Sequence, residues 1–269
     1  MGNVSFYPPA RVKETGPGCL CGLRLFLVLA VLVWQENKGF CMNLADALAA
    51  LTQLGDPERA VGLAAYHKVP RDYLGIPNVA LNDLTQGWRQ DLPVEARVAL
   101  AKELWTTNIF EARLAAAKLL TQARIRPDEA VWELIAQWVP EFDSWAIADQ
   151  VCLAGQKRLI ADPARIEEVE AWTRSTHHWT RRAAMVITLP WTKQNHPKPQ
   201  ELEIRQRVLG WAVRYVGDED WVIQKSVAGW LRDLGKHDPE RVEYFLTNNA
   251  KDMKPFARKE AEKHLPKKD

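Results

Sequence analysis

Trp145 and Asp149 stand one helical turn apart in the run Phe142-Asp143-Ser144-Trp145-Ala146-Ile147-Ala148-Asp149. A helix through them carries an aromatic ring and a carboxylate on one face, because residues four apart are neighbours there. Further along, Arg181 and Arg182 follow Trp179 where another helix begins. The stretch Gln224-Lys225-Ser226-Val227-Ala228-Gly229-Trp230-Leu231-Arg232 then joins cations to a further indole. An exposed ring offers a face on which a base or sugar can stack, and cations suit phosphates. The plainer use of each is a ring packed beside a capped or salt-bridged carboxylate, with charges that solvate a helix. Residue type alone leaves both uses open.

Other chemistries are excluded by pattern. The sequence has no phosphate-binding G-x-x-x-x-G-K-[ST], no G-x-G-x-x-G, no G-x-S-x-G and no H-E-x-x-H. His177-His178 is the one histidine cluster, and adjacent helical residues point about 100° apart, so the two do not share a metal. Cys19, Cys21, Cys41 and Cys152 have neither metal spacing nor a disulfide framework, which fits a reducing, cytoplasmic setting. Cys152 reads as a small buried hydrophobe. No metal and no cofactor are expected.

The net charge of +2 hides a polarised chain: +2 over residues 1–41, +1 over 42–126, −7 over 127–173 and +6 over 174–269. The last third is the part suited to attract phosphates. Residues 1–41 hold an apolar run, 25–34, behind Arg11, Lys13 and Arg24. That run lacks a small-residue cleavage site and is shorter than the ~20 apolar residues of a membrane span. Three readings stay open: translation beginning at Met42, a signal-like or anchoring segment, and a structured extension. The folded domain is placed at 42–269, a monomer with no membrane segment of its own.

What must position the chemistry is a set of short helices. From Met42 on, apolar residues recur at i, i+3, i+4 and i+7 over 43–54, 57–68, 78–89, 93–106 and 109–124. Another helix opens at Pro127-Asp128-Glu129, followed by 143–160, 163–174, 177–189, 199–216, 219–235, 238–248 and 255–264. Asp56-Pro57, Asp162-Pro163 and Asp238-Pro239 repeat one start signal, an N-cap before a proline. About a dozen short helices with tight turns predict an all-α, HEAT-like solenoid of stacked pairs with a concave face. Twelve tryptophans are too many to be all ligand contacts, so most fill space between helices.

Taken in order, these segments resemble the AlkC/AlkD family of DNA alkylation repair proteins, and the AlkD branch most. The resemblance runs from Met42 to Leu265. It rests on Tyr66 to Ile76, on Glu103-Leu104-Trp105 with Phe110-Glu111-Ala112-Arg113, and on Ser144-Trp145…Asp149. Trp179-Thr180-Arg181-Arg182-Ala183-Ala184 and the tail Phe256-Ala257-Arg258-Lys259-Glu260-Ala261 complete it. The resemblance implies that Asp149 is the catalytic carboxylate and Trp145 a ring holding the lesion's sugar. It makes Arg182 a phosphate contact and Tyr66 a DNA-facing aromatic, with Arg181, Lys225 and Trp230 in the same DNA-binding group. One departure stands out: the family's Lys-x-x-Gly-Trp-x-Leu-Arg is here Lys225-x-x-x-Gly229-Trp230-Leu231-Arg232. Gly229 therefore falls where the second functional Trp belongs, and Trp230 is turned about 100° away.

The implied function is a DNA glycosylase of base excision repair. It would act on double-stranded DNA and release cationic N3- and N7-alkylated purines without a metal. The rival reading is a non-catalytic HEAT-type scaffold that binds DNA structures or a protein partner, with Trp145 and Asp149 kept for packing.

Overall fold

The computed structural model of the protein describes residues 42–266, and the expectations for residues 1–41 lie outside them. Thirteen α-helices and no strand occur among the described residues: α1 Leu44–Gln53, α2 Pro57–His67, α3 Asn78–Asp91, α4 Val94–Thr106, α5 Phe110–Leu120, α6 Glu129–Trp138, α7 Trp145–Ala161, α8 Ile166–Trp172, α9 His178–Ile187, α10 Pro199–Tyr215, α11 Trp221–Leu234, α12 Pro239–Asn249 and α13 Pro255–Ala261.

The repeated Asp-Pro signal does what the sequence implies. Asp56 accepts hydrogen bonds from the amides of Glu58 and Arg59 at 3.0 and 3.2 Å, Asp162 from Ala164 at 3.1 Å, and Asp238 from Arg241 at 3.3 Å. Each satisfies helix N–H groups that have no partner inside the helix.

Two local expectations are corrected. The helix expected to run to 124 stops at Leu120: the amides of Thr121 and Gln122 turn to the carbonyls of Lys118 and Leu120, while the Ala117 and Lys118 carbonyls accept from the Thr121 hydroxyl and from Arg89 at 2.8 and 2.7 Å. Beyond that end the buried guanidinium of Arg158 donates to the carbonyls of Gln122, Ala123 and Ile125. Arg158 also bonds Asp128 at 3.0 Å, and Arg165 grips the other oxygen of that carboxylate at 2.8 Å. The stretch from Pro163 opens as a 3₁₀ turn, Pro163–Arg165, before α8 begins.

Packing follows an alternating rule. Helix α3 packs on α5, α5 on α7, α7 on α9, α9 on α11 and α11 on α13, so alternate helices form one continuous layer. Helices α4, α6, α8, α10 and α12 each pack against a member of that layer and back it from the second side. This is the nearest-neighbour architecture of a helical-repeat protein. Where α7 meets α9 the approach is close: a Cβ on Gly155 would lie 2.5 Å from Cδ1 of Ile187. Helix α5 is buried on nearly every side, including Glu111, Arg113 and Lys118. Its charges are matched, with Lys118 Nζ donating to Asn82 at 2.6 Å and Gln150 at 3.0 Å.

The tryptophan load divides cleanly. Trp88, Trp105, Trp132, Trp138, Trp191, Trp211 and Trp230 are buried, and Trp172 and Trp179 are half-buried. Trp105 stacks on Trp138 with centroids 4.3 Å apart, under the guanidinium of Arg113. Only Trp145 and Trp221 are exposed among the described residues, at 46% and 54%.

Candidate active site

The first contributor is a loop. Val69–Pro77 links α2 to α3, and the buried Glu111 carboxylate accepts from three of its amides: Leu74 at 2.8 Å, Gly75 at 2.8 Å and Ile76 at 3.3 Å. Gly75 has φ +76°, and a Cβ there would stand 2.0 Å from the Asp56 carbonyl oxygen. Only glycine fits. Within the same loop, buried Arg71 pairs with Asp143, two residues before Trp145. The loop thus ties the end of α2 to the start of α7.

The result is an aromatic corner. His67 packs against Phe110 at 4.6 Å and Trp145 at 6.0 Å, and Tyr66 meets Trp145 edge to face at 6.4 Å. Burial and the charge of Arg71 lower the His67 pKa, in that order, so the imidazole favours its neutral form. Tyr66 itself is 66% exposed and presents its ring outward.

One turn along α7, Asp149 faces Arg182 of α9. Arg182 Nη2 donates to Oδ1 and Oδ2 at 2.8 Å each, and Nε donates to Oδ1 at 3.2 Å. Nη1 takes no partner among the described residues, so the bridge leaves one donor of Arg182 uncommitted. Burial raises the Asp149 carboxyl above the ordinary aspartate value, against the opposing pull of Arg182. The site therefore carries a desolvated carboxylate, whose charge is worth more than in water.

These groups share a cleft of about 330 Å³, lined by Tyr66, Trp145, Asp149, Trp179, Arg182, Trp221, Val222 and Lys225. Its volume lies in the range of small-ligand sites. Trp221 is the first residue of α11, held there by Asp220, whose carboxylate accepts from the amide of Val222 at 2.8 Å. Lys225 Nζ sits 4.7 Å from the centre of the Trp221 ring. Both exposed tryptophans of the described chain thus border one cleft, with Asp149 and Arg182 also on its wall.

The sequence-expected residues Tyr66, Trp145, Asp149, Arg182 and Lys225 are brought together; two others are not. Trp230 is fully buried and its indole N–H donates to Thr188 at 3.2 Å, so it is core and not a DNA-facing ring. Its helical position, one residue on from the expected one, points it inward. Arg181 is also turned away: its donors go to the carbonyls of Ser175 and Thr176 at 3.1 Å and to Asp218 at 3.2 Å. It holds the turn before α9 and does not line the cleft.

Gly229, which occupies the expected Trp position, borders a second cavity of about 200 Å³ shared with Asp149 and Arg182. A Cβ at Gly229 would meet nothing within 4 Å. Sequence reasoning missed Trp221. The available signal was its placement: like Ser144-Trp145, Asp220-Trp221 puts an indole at the first position of a helix, after an N-cap residue. Cys152 is buried, and burial pushes its thiol pKa up, so it is inert. No group of three or more metal-ligating side chains occurs among the described residues. No helix among them is long and apolar enough to cross a membrane.

Against this geometry stands a family match to "DNA alkylation repair enzyme" over residues 47–265. The chain belongs to the DNA alkylation repair enzyme family. Among solved structures, a predicted DNA alkylation repair enzyme from Enterococcus faecalis is similar, with a TM-score of 0.66 and 21% identity over 80% of this chain and 98% of that one. AlkD2 from Streptococcus mutans aligns with a TM-score of 0.54 and 18% identity, over 78% of this chain and 99% of its own. The protein smu.31 from Streptococcus mutans UA159 aligns at 0.54 and 19%, over 69% and 92%. At these identities the likeness is one of fold, and it agrees with the alternating helical layers. No curated protein sequence matches the chain.

As a member of this family, the protein has a role in DNA alkylation repair. Most of the segments that mark the resemblance have structural work in the fold. Glu111 holds the Leu74-Gly75-Ile76 loop, Leu104 and Trp105 are core, and Ala257 and Ala261 are buried in α13. The Tyr66, Trp145, Asp149, Trp179 and Arg182 positions instead meet at the open cleft.

Proposed function

We propose that the protein is a cytoplasmic DNA glycosylase that releases cationic N3- and N7-alkylated purines from duplex DNA at the Trp145–Asp149–Arg182 cleft. The observation that carries this reading is that the two exposed tryptophans of the described residues share one cleft with a partly desolvated carboxylate.

An N3- or N7-alkylpurine already carries positive charge, so its departure needs no general acid. As the glycosidic bond lengthens, positive charge passes to the deoxyribose. Asp149 lowers the energy of that oxocarbenium-like state because its charge is fixed and poorly hydrated, and it orients water toward C1′. The faces of Trp145 and Trp221 add cation–π attraction to the same centre. Arg182 serves two ends: its Nε and Nη2 fix the carboxylate, and Nη1 is left to meet a phosphate oxygen. Lys225 and the basic last third of the chain extend that grip, with affinity that falls as salt rises. Tyr66 contacts DNA beside Trp145.

The test is release of free 7-methylguanine or 3-methyladenine from alkylated duplex DNA by the purified protein. Release above the spontaneous rate supports the reading. DNA binding with release at the spontaneous rate would assign the chain instead to a scaffold.

A further inference from the structure

The first-layer helices share a feature that a single lesion site does not use up. Each helix of that layer from α5 onward opens with an aromatic residue at its first or second position: Phe110, Trp145, Trp179, Trp221 and Phe256. Consecutive members of the layer pack side by side, so the rings follow one edge. Phe110 is buried beneath His67, but the row surfaces from Trp145 onward and continues past the cleft. Its last pair is Trp221 and Phe256, with centroids 6.4 Å apart and planes tilted by 35°. Phe256 is 39% exposed and does not line the cleft.

Phe256, exposed beside Trp221 and outside the cleft, extends the row by a ring that the lesion site does not use. Bases within a duplex have both faces covered, so a duplex does not use such rings for stacking; an unpaired base does. The cations at hand fit a nucleotide rather than an apolar peptide. Lys225 lies over the Trp221 ring and takes no carboxylate partner among the described residues. Lys254, immediately before α13, is anchored by its ammonium to the carbonyl of Glu219 beside them.

We propose that Trp221 and Phe256, with Lys225, form a stacking site for an unpaired nucleotide that flanks the bound duplex. The site gives the protein a preference for DNA with a single-stranded extension. This rests on the DNA-binding reading above and adds to it the class of DNA structure.

The experiment compares binding of a short undamaged blunt duplex with the same duplex carrying a thymidine overhang at one end or the other, by fluorescence anisotropy. An overhang at one end is expected to tighten binding about tenfold, the order of one base–aromatic stack. Phe256→Ala should abolish that gain while leaving blunt-duplex affinity and base release unchanged. Phe256→Leu, which keeps apolar volume without a ring, should behave as Ala, and Phe256→Trp should keep the gain. No gain from either overhang, or a gain that survives Phe256→Ala or Phe256→Leu, would overturn the proposal and leave the lesion site standing. Failure to bind any of the DNAs would overturn the DNA-binding reading and this site with it.

Discussion

Asp149 and Arg182 come from different repeats of the same layer, and a bidentate ion pair at 2.8 Å couples the residue expected to do chemistry to the residue expected to grip the backbone. The two roles therefore cannot be separated by simply deleting the arginine. Arg182→Ala leaves a half-buried carboxylate unpartnered, so both DNA affinity and excision rate should fall. Arg182→Lys keeps the charge but loses the planar fork. It should retain most of the salt dependence of binding and still excise more slowly. Salt titrations of affinity, with single-turnover rates for the three proteins, check this. Arg182→Ala should flatten the salt slope by about one phosphate's worth. A wild-type excision rate in Arg182→Lys would count against the coupling.

The ionisation of Asp149 sets a pH dependence with a defined sign. Burial raises its pKa in the fold, so the native state takes up this proton more readily than the unfolded chain does. Ionising it costs stability as pH rises through the folded value, a cost that Asp149→Asn removes. Activity needs the charged form and is therefore lost as pH falls through that same value. The acid limb of enzyme-dependent excision, after subtraction of spontaneous depurination, should lie above the ordinary aspartate value of 3.8. Asp149→Asn should lack that limb.

Trp230 gives the clearest stability prediction. It is fully buried and its indole N–H is bonded to Thr188. Truncation to alanine should lower unfolding free energy by about 3–5 kcal/mol, the range for large buried rings, as seen in urea or thermal denaturation. The excision rate per bound complex should not change. A specific loss of rate at unchanged stability would return Trp230 to the site.

Gly229 predicts the opposite effect. It lies inside α11 with open space where a Cβ would go. Gly229→Ala should raise stability by about 0.5–1 kcal/mol through helix propensity alone. A drop in melting temperature would mean that the cavity above it is less open than the geometry indicates.

The fold was legible in the sequence because helices announce themselves locally. The 3.6-residue period and the Asp-Pro starts located all thirteen helices to within a few residues at most ends. Where the sequence misled, a distant side chain decided the matter. Arg89 reaches forward across almost thirty residues to the Lys118 carbonyl, Arg158 reaches back to those of Gln122, Ala123 and Ile125, and nothing near Gln122 reports either. The same division holds at the site. Trp145 and Asp149 share a face by spacing, but the facing of Arg182 onto Asp149 is a contact between helices that no local pattern contains. Arg181 and Arg182 are adjacent and chemically identical in sequence, and only the turn before α9 decides which one faces the cleft. The use of Trp221 depends on α11 lying beside α9, which no local pattern contains, whereas Trp230 belongs to the expected group only through the resemblance, and the one-residue departure there turns it into the core.

Excision by Asp149→Asn is the most direct test of the central claim, that the carboxylate sharing a cleft with the two exposed tryptophans stabilises a cationic sugar. The substitution keeps shape and a hydrogen-bonding oxygen for Arg182, so fold and DNA affinity should survive, as checked by melting and by binding to undamaged duplex. Single-turnover release of 7-methylguanine should fall on the order of 10²-fold, the scale of one lost electrostatic contact in a transition state. Release at the wild-type rate by a folded, DNA-binding Asp149→Asn protein would contradict the assignment.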